Sequence, residues 1–188
     1  MSQSSKTRVL VEGAMLIALA TILSYIKLFE LPFGGSITLE MVPLVIMGLR
    51  NGPKWGFITG LVHGLIQMII GFSNVLYCAT LIAQIGCILL DYLLAFSVLG
   101  LAPLFTKLGG MNKKLGYVIG SIIVGLLRFA CSFLSGWLLW GSYAPEGTAP
   151  VVYSFTYNAS YMIPDIIILA FIVAIIAQVA PKLMKPAE

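Results

Sequence analysis

Charge is what this sequence has least of. Only 10% of its 188 residues are charged and 60% are hydrophobic, where an ordinary soluble domain carries roughly a quarter charged residues. So little charge cannot cover the apolar surface a chain of this size would expose to water, which excludes a soluble globular fold. There is one histidine, His63, and the three cysteines Cys78, Cys87 and Cys131 show no CxxC pairing. That argues against a structural metal site or a disulfide framework and for free thiols in apolar surroundings. No Walker A sequence, HExxH or GxSxG occurs, so nucleotide binding of that kind, zinc-protease chemistry and nucleophile-elbow hydrolysis all lack their residues. The chain is expected to bind or conduct something rather than transform it: not an enzyme, with no cofactor and no metal. His63, beside Gly60, Gly64 and Gln67, reads as a packed histidine with one hydrogen bond. No hydrophilic linker divides the chain, so residues 1–188 form a single transmembrane domain.

What the sequence does have is long apolar runs. Spanning a bilayer takes ~20 apolar residues per helix, and the breakers divide this chain into about six spans: 9–26, 37–49, 55–70, 80–105, 115–140 and 157–180. The fold class is therefore an all-α integral membrane protein with six transmembrane helices. Ala18-Leu19-Ala20 formally fits a signal-peptidase site, but the apolar run continues to Ile26 and more membrane follows, so cleavage is not expected. Six spans put both termini and the 2–3 and 4–5 connections on one side. That side collects Lys6, Arg8, Arg50, Lys54, Lys107, Lys113, Lys114, Lys182 and Lys185, against only Lys27 on the other. The positive-inside rule then makes both termini cytoplasmic, and the stretches 32–38, 71–77 and 141–154 face outward. A re-entrant stretch over 32–38 is compatible with this if protein or water satisfies its backbone. The net charge of +4 needs no nucleic-acid partner; it records topology.

Polar residues inside the spans carry the functional signal, because ionisable groups in a bilayer are costly unless paired or solvated. Asp91 lies in the apolar run 88–94, with Gln84 seven residues earlier on the same expected helical face. Two readings stand: a carboxylate that receives a cationic or N–H-donating ligand, or an ion pair with Arg128 that fastens spans four and five. In span five, Arg128, Ser132, Gly136 and Trp140 recur every four residues, with Ser135 alongside. Small residues there permit close helix approach, and Trp137, Trp140 and Tyr143 fit an interfacial aromatic belt. The same aromatic faces beside a carboxylate also suit a flat organic cation, with ~2 kcal/mol available from a desolvated cation–π contact. At the start of span six Asn158, Tyr161 and Asp165 share a face, and Asn158 offers both donors and acceptors to the edge of a heterocycle.

Four stretches, in order, resemble the thiamine-specific substrate-binding subunits (S-components) of energy-coupling-factor (ECF) vitamin transporters. They are 34–43 (GGSITLEMVP), 90–96 (LDYLLAF), 128–140 with its Ser135-Gly136 step, and 152–158 (VYSFTYN); the resemblance covers nearly the whole chain. It implies an S-component-like helix bundle in the bacterial cell membrane that captures thiamine from outside for ATP-driven uptake by its partners. Those partners would be a transmembrane coupling subunit and two cytoplasmic ATPase subunits. Position by position, the resemblance implies that Asp91 is the pocket carboxylate and that Tyr92, Gly136, Trp140, Tyr153 and Asn158 are pocket residues. Asp91 and Asn158 would address the aminopyrimidine; Trp140 and Tyr153 would stack on the rings or shield the thiazolium. Trp137 and Tyr143 are further candidates. The stretch from Ser36 to Glu40, with Thr38 and Glu40 as site residues, would close the pocket from outside, Glu40 adding negative charge. Ala14 and Ala18 on the first helix match the small-residue docking stripe for the coupling subunit, where internal packing is the alternative.

One position departs from the family pattern: Ser132 stands where a histidine is frequent. A serine is shorter and cannot carry charge, so a ligand contact there is lost, water-mediated or rebuilt. The alternatives are an S-component for a thiamine precursor or relative, and a membrane scaffold protein without a transport role.

Overall fold

The chain is seen here as a computed structural model, which describes residues 3–31, 35–107, 110 and 112–185. Pro32, Phe33 and Gly34 of the expected outer connection lie outside the described residues. The order is α1 (Gln3–Tyr25), a two-residue hairpin pair β1 (Phe29–Glu30) and β2 (Ser36–Ile37), α2 (Met41–Asn51), α3 (Pro53–Ile70) and α4 (Phe72–Leu76). Then come α5 (Leu81–Cys87), α6 (Ala95–Ser97), α7 (Lys113–Leu138) and α8 (Pro150–Val179). The strands pair antiparallel, Phe29 opposite Ile37 and Glu30 opposite Ser36. A π-helical stretch, Ile88–Leu94, joins α5 to α6, and a 3-10 stretch, Val98–Phe105, follows α6.

Four helical stretches are long and apolar enough to cross a membrane: Lys6–Tyr25, Leu81–Phe105, Lys113–Leu138 and Pro150–Val179. Their outward faces carry bare apolar side chains such as Ile82, Phe171 and Val179, which lipid would cover favourably. The 11-residue α2 is shorter than the ~17 residues that a spanning helix needs. It is buried on nearly every side, from Met41 to Val45 and from Met47 to Leu49, as a helix apolar all round must be. Leu44, Val45, Leu99, Val124, Leu169 and Val173 form the centre of the core around it.

Glycines set how closely the rods approach. A Cβ on Gly60 would collide with the Phe96 carbonyl, and one on Gly64 would stand 2.5 Å from the Tyr92 carbonyl oxygen. With glycine at both places, α3 lies backbone-to-backbone against the π stretch and α6, a contact that small residues alone permit. Chain entries are also written locally. Asn112 accepts from Leu115 N–H at 2.9 Å to cap α7, and Thr80 accepts from Ala83 N–H at 3.2 Å to cap α5. Pro53 and Pro150 occupy first turns, where their missing N–H costs nothing.

Two expectations about element boundaries and one about a helix face are corrected. The last helix begins at Pro150 rather than near 157, because proline at its first turn starts it before the hydrophobic run does. Tyr153 and Ser154 are thus helical. The helix α7 ends at Leu138, which leaves Trp140 just past its C-terminus. The π stretch changes the residues per turn before Asp91, so Gln84 does not share the cavity face; its side-chain amide donates to the Cys78 carbonyl at 3.2 Å.

Candidate functional site

One end of the bundle gathers the basic residues. Arg50 pairs with Glu12 and donates to the Lys182 carbonyl at 2.9 Å, which holds α1, the end of α2 and the C-terminal turn together. At the opposite end, beneath the β1–β2 hairpin, lies a cavity of about 920 Å³, within the ~300–1,000 Å³ range of small-molecule sites. Lys27, Glu30 and Ser36 stand at its mouth; Lys27 and Glu30 pair with each other at 2.5 Å.

Asp91 enters the wall of this cavity from the π stretch, a feature that often marks functional positions. Its Oδ2 accepts from Ser135 Oγ at 2.5 Å and from Cys87 Sγ at 3.3 Å, and the Trp140 indole also donates to the carboxylate. Asp91 has no salt bridge among the described residues, and the reading that paired it with Arg128 is overturned. Arg128 binds Glu40 instead, Nη2 to Oε1 at 2.7 Å, and lies over the Phe96 ring with 4.3 Å to its centroid. Gln67 donates to the other Glu40 oxygen at 2.7 Å. Glu40 therefore does not add free negative charge to the pocket: an arginine 88 residues away neutralises it. His63 is fully buried beside this cluster, with Nε2 3.7 Å from Glu40 and Nδ1 3.5 Å from Thr21 Oγ1 of α1. Burying these charges is tolerable only because each has partners.

Aromatic groups line the remaining wall. Trp140 and Tyr143 lie 5.6 Å apart between ring centroids, Tyr153 and Tyr157 6.0 Å, and Tyr157 and Tyr161 5.8 Å. The Tyr92 ring faces the cavity while its hydroxyl donates to the Gly71 carbonyl at 3.0 Å; the Tyr143 hydroxyl donates to the Tyr77 carbonyl at 3.0 Å. Gly136 lets α8 approach α7, since a Cβ there would run into Ser154 Oγ. Asn158 is thereby brought beside the cavity, with Nδ2 2.9 Å from the Ser154 carbonyl.

Of the residues singled out in the sequence, Asp91, Tyr92, Ser132, Gly136, Trp140, Tyr143, Tyr153, Asn158 and Glu40 all line the cavity. Two do not. Trp137 stacks on Phe133, 6.1 Å between centroids, and is 44% exposed on the apolar outside of α7. Thr38 is buried behind the wall, its N–H donating to Asp165 Oδ1 at 2.9 Å. Ala14 and Ala18 are exposed on α1 beside Val11, Met15 and Ile22, so the alternative that they pack internally is corrected; Gly13 and Ala20 make that inward contact.

Sequence reasoning missed Gln67, Cys87 and Tyr157 as cavity residues, assigned Ser135 to helix packing, and set Tyr161 on the face of Asn158 without giving it a ligand-binding role. Tyr157 accepts from Gly35 N–H at 3.1 Å and so holds the chain just before β2. The signal for Tyr161 was present in its spacing of three from Asn158. All three cysteines are free thiols, and no group of three His, Cys, Asp or Glu side chains suited to a metal ion occurs among the described residues. What the cavity offers is one carboxylate without a cationic partner, an amide and several aromatic faces, which together suit a flat, positively charged heterocycle.

Comparisons with known proteins agree with one another. The profile of a family described as thiamine transporter protein (Thia_YuaJ) matches residues 10–185. The thiamine transporter ThiT of Bacillus subtilis (strain 168) is 37% identical over 196 residues, covering 98% of each chain. The thiamine transporter ThiT of Lacticaseibacillus paracasei is 29% identical over 97% of this chain and 93% of its own. A solved structure of ThiT from Listeria monocytogenes superposes with a TM-score of 0.79 at 26% identity, covering 96% of this chain and 99% of that one.

Proposed function

The chain belongs to the thiamine transporter protein family, and we propose that it is the substrate-binding subunit of an ECF-type importer that captures thiamine from outside the cell. The observation that carries this reading is the cavity wall itself: Asp91, held by Ser135, Cys87 and Trp140, faces a space shared with Asn158 and aromatic rings. A thiazolium is a permanent cation, and a carboxylate without a cationic partner draws it into a site of reduced dielectric. Trp140 and Tyr153 offer ring faces, and Asn158 and Asp91 meet the polar edge of the aminopyrimidine.

The chain is a multi-pass membrane protein, and six crossings, one of them made by the short α2 sheltered inside the bundle, leave both termini in the cytoplasm. Gathering of Lys6, Arg8, Arg50, Lys54, Lys107, Lys113, Lys114, Lys182 and Lys185 toward the end away from the cavity supports that orientation. The cavity mouth then opens outward. The hairpin closes over it, tied down through Gly35 to Tyr157 and through Thr38 to Asp165. Energy for uptake comes from a transmembrane coupling subunit and two cytoplasmic ATPase subunits; the coupling subunit docks along the exposed small-residue stripe of α1 at Ala14 and Ala18.

Titration calorimetry of the purified protein with thiamine tests this reading. Saturable one-to-one binding at submicromolar concentration is expected, with uptake in vesicles only when the coupling and ATPase subunits are present. Absence of binding at micromolar thiamine would rule the reading out, and turnover of thiamine by the isolated chain would replace it with a different one.

A further inference from the structure

Asn158 uses most of its hydrogen-bonding capacity inside the protein. Its Nδ2 lies 2.9 Å from the Ser154 carbonyl, 3.3 Å from Ser154 Oγ and 3.4 Å from the Ser132 carbonyl. Carbonyl oxygens only accept, so the NH₂ end of the amide must face them; the reversed amide would set oxygen against oxygen. At the other end, Asn158 Oδ1 accepts from the Tyr161 hydroxyl at 2.8 Å. Tyr161 stands one turn further along α8 and is itself hydrogen-bonded to the Ser132 side chain. An amide oxygen has two acceptor sites, and Tyr161 occupies one. What Asn158 has left for the cavity is a single lone pair, an acceptor without a donor.

We propose that Tyr161 is a positioning residue: by donating to Asn158 Oδ1 it aims the remaining lone pair of that amide, whose NH₂ end the carbonyls hold, toward the cavity. The site then selects a ligand with an amino group, rather than an oxo group, on the ring edge that Asn158 meets. This rests on the reading of the cavity as a thiamine site. The 4-amino group of a pyrimidine brings an N–H to the waiting lone pair. A 4-oxo group brings a second lone pair, and a buried polar site left unpaired in this way discriminates strongly. Without the tyrosine hydroxyl, Oδ1 loses its anchor, and the terminal torsion of an asparagine is broad and roughly two-fold. The Ser154 and Ser132 carbonyls still hold Nδ2, so the amide tilts rather than reverses, its free lone pair no longer meets the amino group squarely, and selectivity falls.

The test compares thiamine with its 4-oxo analogue by calorimetry, in the wild type and in Tyr161→Phe. Thiamine binding by the wild type is read first; its absence would remove the thiamine reading and this inference with it. The wild type is expected to prefer the amino compound by ~100-fold or more. Tyr161→Phe is expected to weaken thiamine by ~2- to 10-fold, the value of one neutral hydrogen bond, and to lower the amino-to-oxo ratio by the same factor, because the oxo compound makes no use of the lone pair that is lost. A tyrosine that merely packs would weaken both ligands alike, so an unchanged ratio in a folded variant overturns the proposal. Equal binding of the two compounds by the wild type overturns it as well. Should Tyr161→Phe not fold, Ser132→Ala removes the hydroxyl that holds Tyr161 and leaves the ring packing in place. It is expected to lower the ratio in the same direction by ~3-fold, a fraction of one hydrogen bond; no change there sinks the idea.

Discussion

Replacing Asp91 by asparagine isolates the part that charge plays in ligand capture. The side chains are isosteric, and Ser135 Oγ and Cys87 Sγ, now at 2.5 and 3.3 Å from Oδ2, can accept as well as donate. The local packing is therefore expected to survive. What disappears is the carboxylate charge, and the other acids near the cavity cannot replace it: Glu40 is held by Arg128 and Glu30 by Lys27. A hydrogen bond to a charged group contributes about 1.5–3 kcal/mol, and each 1.4 kcal/mol is a factor of ten in affinity. Thiamine affinity should fall by about 10- to 100-fold on that arithmetic. Calorimetry of wild type and variant reads the number directly. An uncharged aminopyrimidine fragment, lacking the thiazolium, serves as the comparison and should lose less than thiamine does. Equal affinity of Asp91→Asn and wild type for thiamine would refute the electrostatic account, whatever the fold comparison says.

Three further outcomes are expected. Arg128→Met leaves Glu40 buried without its cation and should destabilise the detergent-solubilised protein by about 3–5 kcal/mol, read as a lower thermal midpoint; the double variant with Glu40→Gln should recover part of that loss. Gly60→Val drives a side chain into the Phe96 carbonyl, where overpacking costs about 1–3 kcal/mol or more, so thiamine binding and yield should fall together while an outward-facing control such as Leu65→Val leaves both unchanged. Ala14→Trp or Ala18→Trp, on the exposed face of α1, should leave calorimetric thiamine affinity intact and abolish uptake with the coupling subunits, and unimpaired uptake would move the docking surface elsewhere.

Much of the site could be read before any coordinates, because its chemistry is locally encoded. Asp91 stands out in an otherwise apolar run, and the four-residue recurrence of Arg128, Ser132, Gly136 and Trp140 places those side chains along one helix face. All five line the cavity. Trp137 failed because it was placed one helical turn before Trp140, whereas α7 ends at Leu138 between them and Trp137 stacks on Phe133. Gln84 failed because a seven-residue spacing assumes an unbroken α-helix, and the π stretch beginning at Ile88 breaks it. Thr38 failed for a different reason: its backbone, not its side chain, makes the contact that holds the hairpin. No side-chain pattern records that.

By itself the sequence determined the solvent and the inventory. Scarce charge and long apolar runs require a bilayer, basic residues gathered near the turns choose an end, and Asp91, Asn158 and the tyrosines name the kinds of contact a ligand can make. Only the tertiary structure decided the pairings. Arg128 faced two acids in the sequence and took Glu40, 88 positions away, which left Asp91 without a cation. Composition and periodicity are properties of neighbouring residues, while a pairing depends on where separate helices come to rest against one another. The same packing turned the amide nitrogen of Asn158 toward the Ser154 and Ser132 carbonyls, a choice its residue type leaves open.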